Sequence, residues 1–362
     1  MSYFASKVIL FPYYISLKIR HFLYDKGIKK SKSYPIKIIS IGNITVGGTG
    51  KTPHCEMLIR KLVEKYDIYL LSRGYKRKTK GFRIVSENDT FDLCGDEPLQ
   101  IKQKFPNITV AVCENRCIGT EKLIELHSAN KNSKEQLIIL DDAFQHRRII
   151  AKHSIVLVNF NNPTSEDNLL PIGTLRDLPC RLRHANTIII SNYPYRNEPN
   201  DDDMSCEKLL EYFNEQSKIW RKKLSLKPEQ NLFFSAIKYL EPIPVFKDVA
   251  DKRYLYSKSA LVFSGIANNN GFKNYLSGLY KIDDIIKFSD HKNFTKGDMK
   301  LINMLGEKYQ RSIIITTEKD SKRLLESKYL TQESKKRLFY IPIEVDIIPE
   351  QLQEKFTQII QN

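Results

Sequence analysis

Residues 45–52 read TVGGTGKT, where Gly47, Gly48 and Gly50 leave three backbone positions without side chains just ahead of Lys51 and Thr52. An apolar run, YPIKIIS, precedes this stretch, and apolar residues at helical spacing follow it. A strand-to-helix corner of this kind cradles phosphate, because its N–H groups can turn inward and the helix N-terminus adds a positive dipole end. Lys51 would reach the outer phosphates, and the Thr52 hydroxyl would take a coordination site on Mg²⁺. Thr45, Val46, Gly47, Gly48, Thr49, Gly50, Lys51 and Thr52 together form the candidate nucleotide cradle, although the usual spacing asks for glycine where Thr45 stands. Phosphoryl transfer also needs acids to hold the metal. The stretch LIILDDAFQHRR ends an apolar strand in Asp141 and Asp142, followed by His146, Arg147 and Arg148. A base near an acceptor hydroxyl would come from Asp96, in the turn CGDEP, or from Asp290 and His291 in FSDHKNF.

Short Val/Ile/Leu runs position these groups. Strands are predicted at 67–72, 107–112, 135–142, 154–160 and 186–191, with helices at 52–65, 95–104 and 117–128 between them. Apolar runs alternating with helices imply a parallel α/β sheet, and carboxylates at the C-terminal ends of its strands face the crevice where such sheets bind ligands. The polar region 195–230 marks a change of character. Beyond it, NLFFSAIKYLEPIPVF reads as two strands, a candidate hairpin bridging domains. A second series follows, with strands at 260–267, 312–320 and 338–345 and a helix at 270–280. The expected organisation is an N-terminal segment over 1–30, a P-loop domain over 31–228 and a smaller α/β domain over 229–362.

The chain has 362 residues and a net charge of +16. Residues 1–85 contain 18 Lys and Arg against 4 acids, so nearly all the excess lies in the first quarter. A one-ended positive field implies an anionic partner on that side. The N-terminus carries an apolar run from Val8 to Leu17, interrupted by Pro12 and flanked by Lys7, Lys18, Arg20, Lys26, Lys29 and Lys30. That run is too short to span a bilayer, which takes roughly 20 residues. Its composition suits a helix in a membrane interface with its cations on anionic headgroups; the alternative is a helix packed on the protein's own core. The six cysteines are too few for a disulfide framework and lack zinc spacing.

Taken together, GNITVGGTGKTP at 42–53, LLSRGYKRKTKG at 70–81, GDEP at 95–98 and LDDAFQHRR at 140–148 resemble the tetraacyldisaccharide 4'-kinase family of lipid A biosynthesis. LLPIGTLRD at 169–177, FSGIAN at 263–268, FSDHKNF at 288–294 and ITTEKD at 315–320 extend the resemblance over most of the chain. The family's loop also lacks a glycine at the Thr45 position. The resemblance implies a P-loop NTPase-like parallel-sheet domain and a smaller α/β/α domain joined by a two-stranded linker, with the active site in the cleft between them. It implies transfer of the ATP γ-phosphate to the 4'-hydroxyl of a tetraacyldisaccharide 1-phosphate, giving lipid IVA. By the same resemblance, Asp96 paired with His291 would activate the hydroxyl, with Lys51 on the phosphates. Asp141, Asp142 and Thr52 would organise Mg²⁺, joined by Asp177, which stands where the family usually has Glu. Arg73, Tyr75, Lys76 and Arg77 would contact substrate.

The partners so implied are the lipid disaccharide 1-phosphate and the anionic cytoplasmic face of the inner membrane, with a peripheral monomer expected. A kinase of a soluble metabolite would leave the amphipathic N-terminus without a role. Nucleic-acid binding is not expected: no helix-turn-helix or RRM-type signature is present, and the phosphate loop interrupts the basic region.

Overall fold

The computed structural model describes residues 3–129, 134–194, 206–266, 270–289, 292–325 and 327–362, with side chains from residue 11 onward. The first part of the chain runs α1 (Tyr3–Asp25), β1 (Lys37–Gly42), α2 (Lys51–Leu62), β2 (Tyr66–Ser72), β3 (Arg83–Ile84), α3 (Phe91–Cys94), α4 (Asp96–Lys104), β4 (Thr109–Val112), α5 (Arg116–Ala129), β5 (Glu135–Asp141), β6 (His153–Asn159), β7 (Thr187–Ser191), α6 (Cys206–Lys223) and β8 (Asn231–Tyr239). The rest is β9 (Ile243–Pro244), β10 (Ser259–Ser264), α7 (Asn270–Leu279), β11 (Lys281–Lys287), α8 (Lys296–Lys308), β12 (Ile313–Thr317), α9 (Glu318–Leu324), α10 (Gln332–Arg337), β13 (Leu338–Ile341), β14 (Ile343–Ile348) and α11 (Gln353–Gln361).

Two compact units result: Met1–Ile237 with Val345–Asn362, and Lys238–Glu344. The first holds a nine-stranded sheet in the order β14-β8-β7-β6-β1-β5-β2-β4-β3. From β8 to β4 the pairings are parallel, and the short β3 runs antiparallel to β4. The central strands β1, β6 and β7 are buried along nearly their whole length, which accounts for their apolar runs. Parallel pairing sets Ile41 of β1 beside Asp141 of β5, so the loops that leave these strands start at the same level. The second unit holds a five-stranded sheet, β11-β10-β12-β13-β9.

The sequence suggests a domain break near residue 228, whereas residues 229–237 and 345–362 lie with the first unit. Pro342 explains part of the difference. The run 338–345 looks like one strand, but proline has no N–H for a ladder; β13 ends before it and β14 begins after it, in the other sheet. Val345, Ile347, Phe356 and Ile360 then pack into the first core beside Leu62 and Phe233. The suggested hairpin likewise divides, β8 going to the first sheet and β9 pairing antiparallel with β13 in the second. The strand expected at 312–320 stops at Thr317, and Glu318 opens α9.

Helix α1 continues through Pro12. Leu17 is buried in a separate cluster of the first unit, with Ile44 and Val156, and Tyr13 packs at its margin. The opposite stripe is open: Phe11 is 60% exposed, Ile19 55% and Phe22 54%. The packed side fits the reading of a helix on the protein's own core, and the other side stays exposed.

Candidate active site

The phosphate loop and the two adjacent acids belong to the first unit, following β1 and β5 at their C-terminal ends. β1 enters the loop through Gly42, where a Cβ would lie 2.9 Å from Phe144 Cβ, so a side chain would collide with the segment after β5. Gly47, Gly48 and Gly50 have φ of 78°, 50° and 77°, the left-handed region that glycine adopts at no steric cost. Val46 donates its N–H to the Thr174 carbonyl at 2.8 Å, and Asn159, at the end of β6, donates to the Gly48 carbonyl at 3.1 Å. Lys51 opens α2, so the helix's unsatisfied N–H groups and positive end meet the loop.

Asn43, which the sequence reading passed over, organises this loop. It is fully buried, and its Nδ2 donates to Thr49 Oγ1 at 2.8 Å and to Thr45 Oγ1 at 3.2 Å. Its Oδ1 accepts from Arg176 at 2.6 Å and from Lys51 at 3.5 Å, and its carbonyl accepts from Gln145 at 2.5 Å. Thr45 thus supplies a hydroxyl that a glycine could not. Below the loop, His54 donates through Nδ1 to the Gly50 carbonyl at 2.7 Å, leaving Nε2 to accept from Ser235 at 2.8 Å. Burial drives the His54 pKa down to about 4, so the ring is neutral.

The two adjacent acids have different environments. Asp141 is buried and accepts from Ser72 at 3.0 Å, with the Cys55 thiol 3.6 Å away. Burial, followed by the charge of Asp142, raises its pKa. Asp142 has φ of 48° and turns toward a fork from Arg176, whose Nη1 donates at 3.0 Å and whose Nη2 donates to the other oxygen; Lys51 Nζ stands 3.9 Å off. Burial alone would raise its pKa, but Arg176 and Lys51 outweigh it and the pKa falls. Arg116, also buried, donates to the Asp141 carbonyl at 3.2 Å. One carboxylate held ionised beside a second, more basic one gives two hard oxygen donors flanking the phosphate loop.

Asp177 is placed differently from the expectation. It is buried, and its Oδ1 accepts from His21 of α1 at 2.6 Å and from the Leu178 N–H at 2.8 Å. Among the described residues no group of three acids, histidines or cysteines forms a metal cluster. The oxygen-donor pair Asp141 and Asp142 suits Mg²⁺, which commonly takes one or two carboxylates and fills its shell with water and phosphate; Asp177 is engaged as the seat of α1.

Asp96 and the basic turn come together through two glycines. A Cβ on Gly74 would lie 2.9 Å from the Cys94 carbonyl, and one on Gly95 would lie 3.1 Å from the Tyr75 carbonyl, so the segments touch backbone to backbone. Lys78 N–H donating to the Asp92 carbonyl at 2.7 Å and Thr79 Oγ1 donating to the Leu93 carbonyl at 2.6 Å lace them further. Asp96, at the start of α4, is half-buried, while Arg73, Tyr75 and Lys76 are exposed. Arg77 is committed elsewhere: it pairs with Glu114 at 2.7 Å and donates to the Gly81 carbonyl at 2.5 Å. His291 lies outside the described residues. Arg176 and Gln145 were legible only as part of the quoted motifs, and Arg116 falls in none of them; nothing in their spacing singles them out.

A family model described as Tetraacyldisaccharide-1-P 4'-kinase matches residues 7–361. A tetraacyldisaccharide 4'-kinase of Flavobacterium johnsoniae is 39% identical over 347 residues, covering 95% of this chain and 93% of that protein. One of Phocaeicola vulgatus is 38% identical, covering 94% and 90%. A crystal structure of LpxK from Aquifex aeolicus, described as a complex with ATP, superposes with a TM-score of 0.68 at 27% identity over 98% of both chains.

Proposed function

The chain belongs to the tetraacyldisaccharide-1-phosphate 4'-kinase family, and from that premise we propose how its residues perform the transfer and where the protein works. It is an ATP-dependent kinase that phosphorylates the 4'-hydroxyl of the lipid disaccharide 1-phosphate in lipid A biosynthesis. The loop 45–52 holds the triphosphate by its main-chain N–H groups, and Lys51 neutralises charge that develops on the transferred phosphoryl group. Thr52, Asp141 and Asp142 would hold Mg²⁺, which supplies charge neutralisation at the phosphate oxygens. Arg176 keeps Asp142 ionised and aimed, and Asn43 keeps Lys51 within reach of the same crevice. Asp96 accepts the proton of the sugar hydroxyl, and Arg73, Tyr75 and Lys76 meet the disaccharide. Arg77 supports their turn through Glu114.

The observation that carries this reading is the placement of Lys51, Asp142, Arg176 and Asn43 around one loop at the carboxyl edge of the sheet.

We further propose that α1 docks the enzyme on the cytoplasmic face of the inner membrane. No helix among the described residues is long and apolar enough to cross a membrane. Phe11, Tyr14, Ile19 and Phe22 form an outward stripe, and Lys18, Lys26, Lys29 and Lys30 are exposed beside it. Apolar side chains flanked by lysines favour an anionic interface, where the acyl chains of the substrate also lie. The deciding experiment follows phosphate from ATP labelled at the γ position onto the lipid disaccharide, with soluble sugars and nucleosides as controls. Label confined to a soluble acceptor would overturn the lipid assignment.

A further inference from the structure

Helix α1 meets the site through one face. Tyr13, Leu17, Arg20 and His21 stand at i, i+4, i+7 and i+8, the spacing of a single helical stripe. Leu17 and His21 are buried, and Tyr13 and Arg20 are half-buried. The three polar members of the stripe reach the two segments that carry Asp142 and Arg176. Tyr13 donates its hydroxyl to the Arg176 carbonyl at 2.9 Å, and His21 Nε2 lies 2.6 Å from Asp177 Oδ1. Arg20 donates to the Gln145 carbonyl at 2.6 Å.

Residues 174–177 join this helix to the phosphate loop. The Arg176 N–H donates to the Ile44 carbonyl at 2.9 Å and the Val46 N–H to the Thr174 carbonyl at 2.8 Å, so the segment pairs antiparallel with the loop entry at Thr45 and Leu175. The main chain of Arg176 is therefore held from both sides, its N–H by the loop and its carbonyl by α1. Its guanidinium forks Asp142 and donates to Asn43 Oδ1 at 2.6 Å. A side chain on so long a stem keeps one position only when its backbone and its neighbours are fixed. The adjoining His21–Asp177 contact adds to that fixing. A carboxylate only accepts, so His21 Nε2 carries the proton and donates it. A satisfied buried polar contact selects one arrangement more than it adds stability. Apolar burial of Leu17 is non-directional and does not set that register.

We propose that Tyr13 and His21 are positioning residues for the phosphoryl transfer: α1 fixes the main chain at 176–177, and through it the guanidinium that aims Asp142. The proposal rests on the kinase reading and goes beyond it in giving α1 a role at the reaction that its outward stripe does not supply. Misplacing a catalytic group by about 1 Å costs as much as 100-fold in rate, without any contact to nucleotide being lost.

The test uses purified full-length chain on detergent-dispersed lipid disaccharide, so that vesicle docking does not enter. Each variant is first checked for a cooperative melt. Tyr13→Phe removes one hydroxyl and keeps the ring. His21→Leu removes the donor to Asp177, and His21→Gln offers an amide in its place. Tyr13→Phe carries the test if His21→Leu fails to fold. The expected result is a kcat lower by roughly 10-fold in Tyr13→Phe and by roughly 10- to 100-fold in His21→Leu, with His21→Gln recovering most of the rate. ATP affinity and lipid KM should stay within about twofold, as expected for lost orientation rather than lost binding. In an Arg176→Ala background, Tyr13→Phe should slow the enzyme no further, since both act on one contact; a residue that merely steadies the fold would add its effect in full. Unchanged kcat in either folded variant would overturn the proposal, as would full additivity with Arg176→Ala or a loss of ATP affinity parallel to that of kcat. Wild-type protein inactive on the lipid disaccharide would instead count against the kinase reading.

Discussion

Asn43 Nδ2 lies 2.8 Å from Thr49 Oγ1, so a buried side-chain amide at the entry to the phosphate loop braces the loop through a threonine hydroxyl. The same side chain reaches Thr45, Arg176 and Lys51, and it links the cradle to the arginine that holds Asp142. Removing it should disturb phosphate binding and leave the sheet intact. For Asn43→Ala, ATP affinity is expected to fall about tenfold, or roughly 1.4 kcal/mol, because the loop amides lose their fixed directions. Calorimetric titration with nucleotide checks this, and unchanged affinity would mean that the loop organises itself.

Asp141 is costly to keep charged. Burial and Asp142 raise its pKa, so the folded chain holds a proton there more tightly than the unfolded chain does. Its contribution to stability is therefore greatest at acid pH and declines as pH rises through the raised value. Asp141→Asn should raise the melting temperature of the nucleotide-free protein at neutral pH while abolishing turnover. Paired melting and activity measurements test that opposition; a variant both less stable and inactive would contradict the electrostatic account.

Acid should weaken the fold through its buried histidines. Burial holds His54, His146 and His153 near a pKa of about 4, well below an ordinary histidine. The unfolded chain then binds protons first, and stability present above about pH 6.5 is lost as pH falls toward 4. Denaturant midpoints measured between those limits should drop steadily. His54→Gln should flatten the slope, and a wild-type midpoint constant over the range would refute the assignment.

Membrane docking can be separated from catalysis because α1 has two faces. Truncating residues 1–24 would remove His21 and leave Asp177 buried without its 2.6 Å partner, confusing release with unfolding. Phe11→Ser with Phe22→Ser alters only the exposed stripe. Flotation with anionic vesicles should show most of the binding lost, with kcat on detergent-dispersed lipid within about twofold of wild type, as expected for surface substitutions. Retention of vesicle binding would move the docking surface elsewhere.

The apolar runs of β1, β5 and β6 betray their burial, and the glycines betray the corner, so the first sheet and its phosphate loop were readable from the chain. Elements that change partners were harder. The 338–348 run shows no loss of hydrophobicity where Pro342 sends it from one sheet to the other. The roles of Asn43, Arg116 and Arg176 draw on contacts between residues 25 to 133 positions apart, as in Arg116–Asp141, Arg176–Asp142 and Arg176–Asn43, which no local pattern encodes. Asp177 shows the converse: the resemblance sets it among the metal ligands, whereas the docking of α1 gives it His21 as its partner.

The most direct measurement of the central claim is label transfer from ATP to the lipid disaccharide by wild-type protein and by Lys51→Ala. The wild type should place phosphate on the 4' position. The variant, folded by its melt, should be slower by roughly 100- to 1,000-fold, or about 3–4 kcal/mol of lost transition-state stabilisation. Near-normal turnover in Lys51→Ala would contradict the assignment of the phosphate loop as the seat of the reaction.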